Sequence, residues 1–330
     1  MDELPAIRTK VQVLLHPIIE EKKAILEEYN WEYPLDLVVV ATGNPEGFSH
    51  VNEVPRPLLD RLETIYMDLP DEEVEFSIMM SERFGMKNGN GREEDMVIDF
   101  PAAADLKRKV YTPWWMLSMI NKAVRQSRAC RWLDRKASIR GTTRAIDHTY
   151  SSTEMEKRHV PRLTDVSRGL RLALRGRVQL RQDLVDFENP RETMRKIDEV
   201  SEDLLRNALL DLSNEITAGW KKEDVMKEAE AMVALPPGQW AGFLRNSPPL
   251  QDRLTELENT GRDRYRLNGG EEEALSTVIA GSDNLKEEYL LSAAEFLANV
   301  CAVKKWIYLQ DFEGLFVPRE VSWSQKGTWR

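Results

Sequence analysis

The chain has 330 residues, 42% of them hydrophobic and 31% charged, with a formal net charge of −10, which is room for two or three domains with a sizeable core and excludes a disordered or fibrous chain. No apolar run approaches the roughly 18 residues needed to span a bilayer, and the first residues are acidic, unlike a signal peptide, so the expected compartment is the cytoplasm. Cys130 and Cys301 lie far apart in sequence, with no His or Cys at metal spacing; they read as reduced core residues, not as a disulfide or a zinc site.

The net charge hides a segregation. Residues 1–100 carry 9 basic and 22 acidic side chains, residues 101–181 carry 19 and 6, and residues 182–330 carry 18 and 28. A basic middle between acidic ends suits either a nucleic-acid-binding segment or a basic lid docking on an acidic neighbour. Aromatic stacking platforms and DNA-reading motifs are absent, which favours docking and leaves nucleic acid out of the expected partners.

In chain order, Met1-Asp2-Glu3-Leu4-Pro5 places two adjacent carboxylates ahead of an apolar helix pattern, Val11–Leu15 continuing through Ile18-Ile19-Glu20-Glu21. Acids are common at helix starts in any case. Ala24-Ile25-Leu26 and Tyr29-Asn30-Trp31-Glu32-Tyr33 around Glu27-Glu28 predict a short hairpin, with Trp31 and Tyr33 alternating in the strand period; cross-strand packing is the expected role and partner contact the alternative. Val38-Val39-Val40 reads as a buried strand that stops at Gly43-Asn44-Pro45, putting an amide at the strand end where it can orient a water. Leu58-Leu59-Asp60-Arg61 then forms an apolar helix seed carrying an arginine, followed by a second strand-like run, Ile65–Leu69.

This layout resembles the second half of an AAA+ nucleotide-hydrolysing module. The likeness is to the magnesium chelatase subunit I and MoxR-like branch, whose typical wording "ATxNPE…LLDRF" compares with Ala41–Glu46 and Leu58–Arg61 here. The resemblance implies an α/β P-loop NTPase (AAA+) core, C-terminal half only, over residues 1–98, an all-α lid over 99–185 and a helical extension over 186–330. It implies ATP and Mg²⁺ as cofactors, with Asp2 and Glu3 as the Walker B pair: Asp2 holding hydrated Mg²⁺ and Glu3 polarising the attacking water. Asn44 falls at the sensor-1 position and Arg61 at the arginine finger that reaches a neighbouring subunit's nucleotide. The hairpin resembles the one inserted before sensor 1 in that branch. Implied partners are a homo- or hetero-oligomeric ring, with chelatase companion subunits or a protein carrying a von Willebrand type A domain.

No GxxxxGK[ST] occurs; Asn88-Gly89-Asn90-Gly91, Gly169 and Gly269-Gly270 lack the lysine and hydroxyl of a phosphate-cradling loop. The chain thus reads as a module cut at its middle.

Further along, Asp71 is a plausible cap for a helix with Val74, Ile78 and Met79 at helical spacing, and Gly85–Asp95 is a polar linker. Pro113 opens a helix over Trp114–Arg128 whose Trp114, Leu117, Ile120 and Val124 share a face. The family's sensor-2 arginine occurs in wording such as "GxSxRA" at the start of a lid helix, and Arg144 in Gly141-Thr142-Thr143-Arg144-Ala145 matches it one residue short, leaving Arg140 as a rival. Either would favour a phosphate from a helix start. Val160–Asp165 before Leu170–Leu180 resembles the entry to the last lid helix, with Arg162 and Asp165 forming an ion pair or a cap. His148 and His159 read as solvated or packing residues. Val200, Leu204, Leu205, Ala208, Leu209 and Leu212 give Asp198–Ile216 an amphipathic stripe, and Tyr289–Leu309 is a long apolar helix pattern whose Phe296, Val300, Val303 and Trp306 build a core.

A second reading is a non-catalytic ring member that keeps Arg61 and the lid without binding ATP. In the family's sheet the P-loop strand lies between the strand ending at Asn44 and the one at Ile65–Leu69, so both would lack a direct pairing partner here, which is costly and adhesive. Expressed alone, the chain is therefore expected to be poorly soluble or rearranged until another polypeptide supplies that half; size-exclusion chromatography and thermal melting check this, and a monodisperse, cooperatively melting monomer would contradict it.

Overall fold

The computed structural model describes residues 1–26, 31–43, 54–84, 110–265 and 282–308. It divides into two compact units, residues 1–69 and 70–330. Among the described residues the structure is mostly helical, with two sheets of two antiparallel strands each.

In the first unit a 3₁₀ turn, Leu4–Ala6, leads into α1 (Thr9–Val13) and α2 (Leu15–Glu20). The sequence predicts one helix here; it breaks at Leu14 because Pro17 has no N–H to donate to the carbonyl one turn back. The apolar stripe is also reversed. Val11, Val13 and Leu14 are exposed, while Gln12 is buried and its Nε2 donates to the carbonyls of Leu4 and Ile7 at 3.0 and 2.9 Å. The hairpin forms as β1 (Lys23–Leu26) and β2 (Trp31–Pro34), with Ala24 opposite Tyr33 and Leu26 opposite Trp31. Its aromatics do not pack: Trp31 and Tyr33 are both exposed.

The two further strands expected in this unit do not form. Residues 35–43 and 63–69 have no strand structure, with Val38 90% and Met67 92% exposed. The run Val38–Val40 is thus not a buried strand. Among the described residues no sheet flanks these backbones and Val38, Val40, Ile65, Tyr66 and Met67 are exposed, whereas parallel strands require a sheet and a cover on both faces. A single turn, α3 (Arg56–Leu59), is anchored by Leu58, which is fully buried.

The second unit is built around α5 (Trp114–Gln126). The predicted stripe is buried, but so are Ser118, Asn121 and Lys122 on the other faces, because helices surround it. These are α4 (Glu72–Phe84), α6 (Ile139–Met155), α7 (Leu163–Arg175) and α8 (Pro190–Ile216). Strands β3 (Leu133–Arg135) and β4 (Gln179–Leu180) tie the segment before α6 to the one after α7. Helices α9 (Lys222–Val233), α10 (Trp240–Asn246), α11 (Pro248–Tyr265) and α12 (Asp283–Val303) complete the bundle. One hydrophobic core runs from Phe76 to Ile307, and no division falls near residue 185. Phe296 and Val300 lie fully within it, whereas Val303 and Trp306, expected with them, are only partly buried against it; the six stripe residues of α8 are buried.

Asp71 caps α4, accepting the Val74 N–H at 2.8 Å. The inward face of α4 is Phe76 and Met79, not Val74, which is exposed. Two acids of α4 clamp it to α5. Glu75, with no exposed surface, takes a two-pronged bond from Arg128 (2.7 and 2.8 Å) and a third from Arg125 at 2.8 Å. Glu72 and Glu215 of α8 each lie 2.7 Å from Lys122 Nζ. Burial alone would lower the Lys122 pKa, but the two carboxylates outweigh it and raise it above the ordinary 10.5. Lys122 therefore contributes its full stabilisation below that pH and loses it as pH rises through the raised value. Burial likewise pushes the Cys301 thiol up to about 12, which keeps it unreactive.

Helix α12 carries a polar stripe on an otherwise apolar surface. Glu288 accepts the backbone N–H groups of His159 and Val160 at 2.6 and 3.0 Å, Ser292 donates to the Pro161 carbonyl at 2.7 Å, and buried Glu295 meets the Arg162 guanidinium. Asp165 in turn accepts the Arg162 N–H at 2.8 Å as the cap of α7 and is gripped by Arg158. So Asp165 caps, and the ion pair of Arg162 is with α12.

Helices α6 and α7 cross at Gly169, where a Cβ would lie 2.4 Å from Thr149 Oγ1 and 2.7 Å from the Ala145 carbonyl. Gly169→Ala is expected to destabilise the protein by about 1–3 kcal/mol, because backbone atoms cannot yield as a flexible side chain would. Glu75→Gln is expected to cost about 1–3 kcal/mol by taking the anion from two partly exposed guanidinium groups, against under about 0.5 kcal/mol for exposed Glu73→Gln. Urea unfolding followed by circular dichroism measures all three.

Candidate functional site

In the first unit the backbone at residues 1–4 runs alongside residues 40–42 in the same direction. The Met1 amino group donates to the Val40 carbonyl at 2.6 Å, Thr42 N–H to the Met1 carbonyl at 2.9 Å, and Leu4 N–H to the Thr42 carbonyl at 2.8 Å. That is the hydrogen-bond sense of a parallel pair. Its effect is to bring Asp2 and Glu3 together on Thr42. Thr42 Oγ1 donates to Asp2 Oδ1 at 2.6 Å and accepts the Glu3 N–H at 3.0 Å. Glu3 has a left-handed backbone, φ 49°, from which the chain turns into the 3₁₀ segment with Leu4 inward and the Glu3 side chain in solvent. Gly43 continues the close approach: a Cβ there would lie 3.0 Å from the Pro5 ring. Asn44, the predicted water-orienting amide, lies outside the described residues.

Arg61 follows α3 and engages the end of α2. Its Nε donates to Glu20 Oε2 at 2.8 Å, its Nη2 contacts the same oxygen, and its Nη1 donates to the Pro57 carbonyl. The side chain is 28% exposed and that of Glu20 58%.

In the second unit α6 begins at Ile139 with Ser138 as its N-cap. Arg140 therefore stands in the first turn, and Arg144 lies a turn further on, exposed and 3.5 Å from Asp147. By position alone the arginine at the helix start is Arg140. Both side chains face solvent.

Two residues that sequence reasoning passed over stand at the centre of these arrangements. Thr42 lies inside the run that carries Asn44, and its hydroxyl was legible only as part of that motif. Glu20 is 41 residues before Arg61, and no local pattern pairs them. His159 Nδ1 is 3.5 Å from Glu288, and among the described residues no group of three or more His, Cys, Asp or Glu side chains is arranged to hold a metal ion. No helix among them is long and apolar enough to cross a membrane. Comparison of the chain with protein-family models, with curated proteins and with solved structures returns no match.

Proposed function

We propose that this chain is a subunit of a ring-forming AAA+ ATPase similar to magnesium chelatase subunit I and MoxR-like proteins, coupling ATP hydrolysis to the remodelling of a partner or to metal insertion alongside companion subunits. The observation that carries the reading is the parallel contact that seats Asp2 and Glu3 on Thr42, two residues before Asn44. An acidic pair beside the polar segment that leads into Asn44 is what water activation next to a phosphate requires. Glu3, in solvent, would polarise the water and Asn44 would orient it. Asp2 fits a hydrated Mg²⁺: one carboxylate oxygen is bonded to Thr42 and the other has no partner among the described residues, which suits an ion that keeps most of its water shell. The ion would draw charge from the phosphates of ATP. Arg61 would stabilise charge on the nucleotide of the adjacent subunit, and Arg144 or Arg140 would couple the lid to hydrolysis.

A second reading, a non-catalytic ring member, is favoured by one specific observation: the 330 residues contain no GxxxxGK[ST]. Hydrolysis requires such a loop from outside these 330 residues. ATP turnover by the chain, alone and mixed with a polypeptide carrying the P-loop half of such a module, separates the two. Activity is expected only in the mixture, lowered about 10²–10⁴-fold by Glu3→Gln and about 10³-fold or more by Arg61→Ala. A silent mixture in which the chain still enters a ring would establish the non-catalytic reading instead.

A further inference from the structure

The Arg61 guanidinium is held at all three of its nitrogens, with its Nε/Nη2 edge on Glu20. Nε and Nη2 both address Glu20 Oε2, and one N–H of Nη1 goes to the Pro57 carbonyl. A guanidinium carries five N–H bonds in a planar fork. The two that remain, one on each terminal nitrogen, form the opposite edge and have no partner among the described residues. That edge matches two oxygens of a phosphate. The anchor is firm on the Glu20 side as well, because Glu20 ends α2 and is placed by that helix and not by a loop.

We propose that Glu20 is the positioning residue of Arg61: it grips the inner edge of the guanidinium and fixes the plane in which the outer edge meets a phosphate group presented by another subunit. This rests on the ATPase reading of Arg61, whereas the grip itself does not. The alternative occupants of the outer edge, a carboxylate or a sulfate, are met by the same geometry, and the phosphate is favoured by the acidic pair seated on Thr42 in the same unit.

Two readouts test it. In the hydrolysing mixture, Glu20→Ala is expected to lower kcat about two- to five-fold, the population change that an exposed ion pair represents. KM for ATP should stay unchanged, since the arginine acts on the transition state, and Glu20→Ala should add nothing in an Arg61→Ala background. An unchanged or raised kcat, or a further fall in that background, overturns the proposal. The second readout is labelling of the chain by phenylglyoxal, an uncharged arginine reagent, mapped by mass spectrometry. Arg61 should react about two- to five-fold faster in Glu20→Ala and faster in the unchanged chain at 1 M salt, where screening shortens to about 3 Å, with exposed Arg56 as the internal reference. Equal labelling overturns the grip. Turnover absent from every mixture, with labelling as expected, would remove the ATPase reading and the phosphate role together and leave Glu20 as a structural tether.

Discussion

A carboxylate without access to water is tolerated only where cations meet it, and Glu75 is met by two. Its contact with Arg125 and Arg128 sets the register of α4 along α5, and the Glu72–Lys122–Glu215 bridge beside it extends the same register to α8. Three helices are thus indexed by charge as well as by their apolar faces. Such pairs add little net stability over a well-packed apolar alternative, yet losing one partner is costly. Their effect is to make one arrangement of α4, α5 and α8 far better than its neighbours. The opposed charge of the chain's first hundred residues and its basic middle is, at this point, satisfied within one polypeptide: the acids of α4 dock on the bases of α5.

Much of the helical unit was legible in the sequence, because a helix face is a local periodic signal. The stripes of α5, α8 and α12, the Asp71 cap and the presence of the hairpin, though not its register, follow from spacing within a dozen residues. What was not legible depends on partners distant in sequence. The run Val38–Val40 has the composition of a buried strand, but burial needs a second layer and a second edge, and neither is encoded in the run itself. Helix α4 has an acidic first turn that suits any helix start; only the positions of Lys122, Arg125 and Arg128 decide where it packs. The break at Leu14 was readable from Pro17, had the missing N–H been weighed against the apolar pattern.

The candidate site divides along the same line. Asp2, Glu3 and Arg61 were singled out by motif wording, and the structure adds the side chains that hold them: Thr42 beneath the acidic pair and Glu20 beside the arginine. A motif names the groups that would meet a ligand. It does not name the groups that orient them, since those are chosen by the fold.

Helix α12 docks by reading main chain. Glu288 and Ser292 address the amides of His159 and Val160 and the carbonyl of Pro161, three groups that every substitution at those positions except a change to or from proline would preserve. The docking of α12 on residues 159–161 is accordingly indifferent to which side chains stand there, although the segment's packing is not, since Val160 is buried and Arg158 and Arg162 pair with Asp165 and Glu295. The docking is not indifferent to the segment's length. One residue inserted or deleted there would slide each amide and carbonyl past its reader and displace Arg162 from Glu295 in the same step.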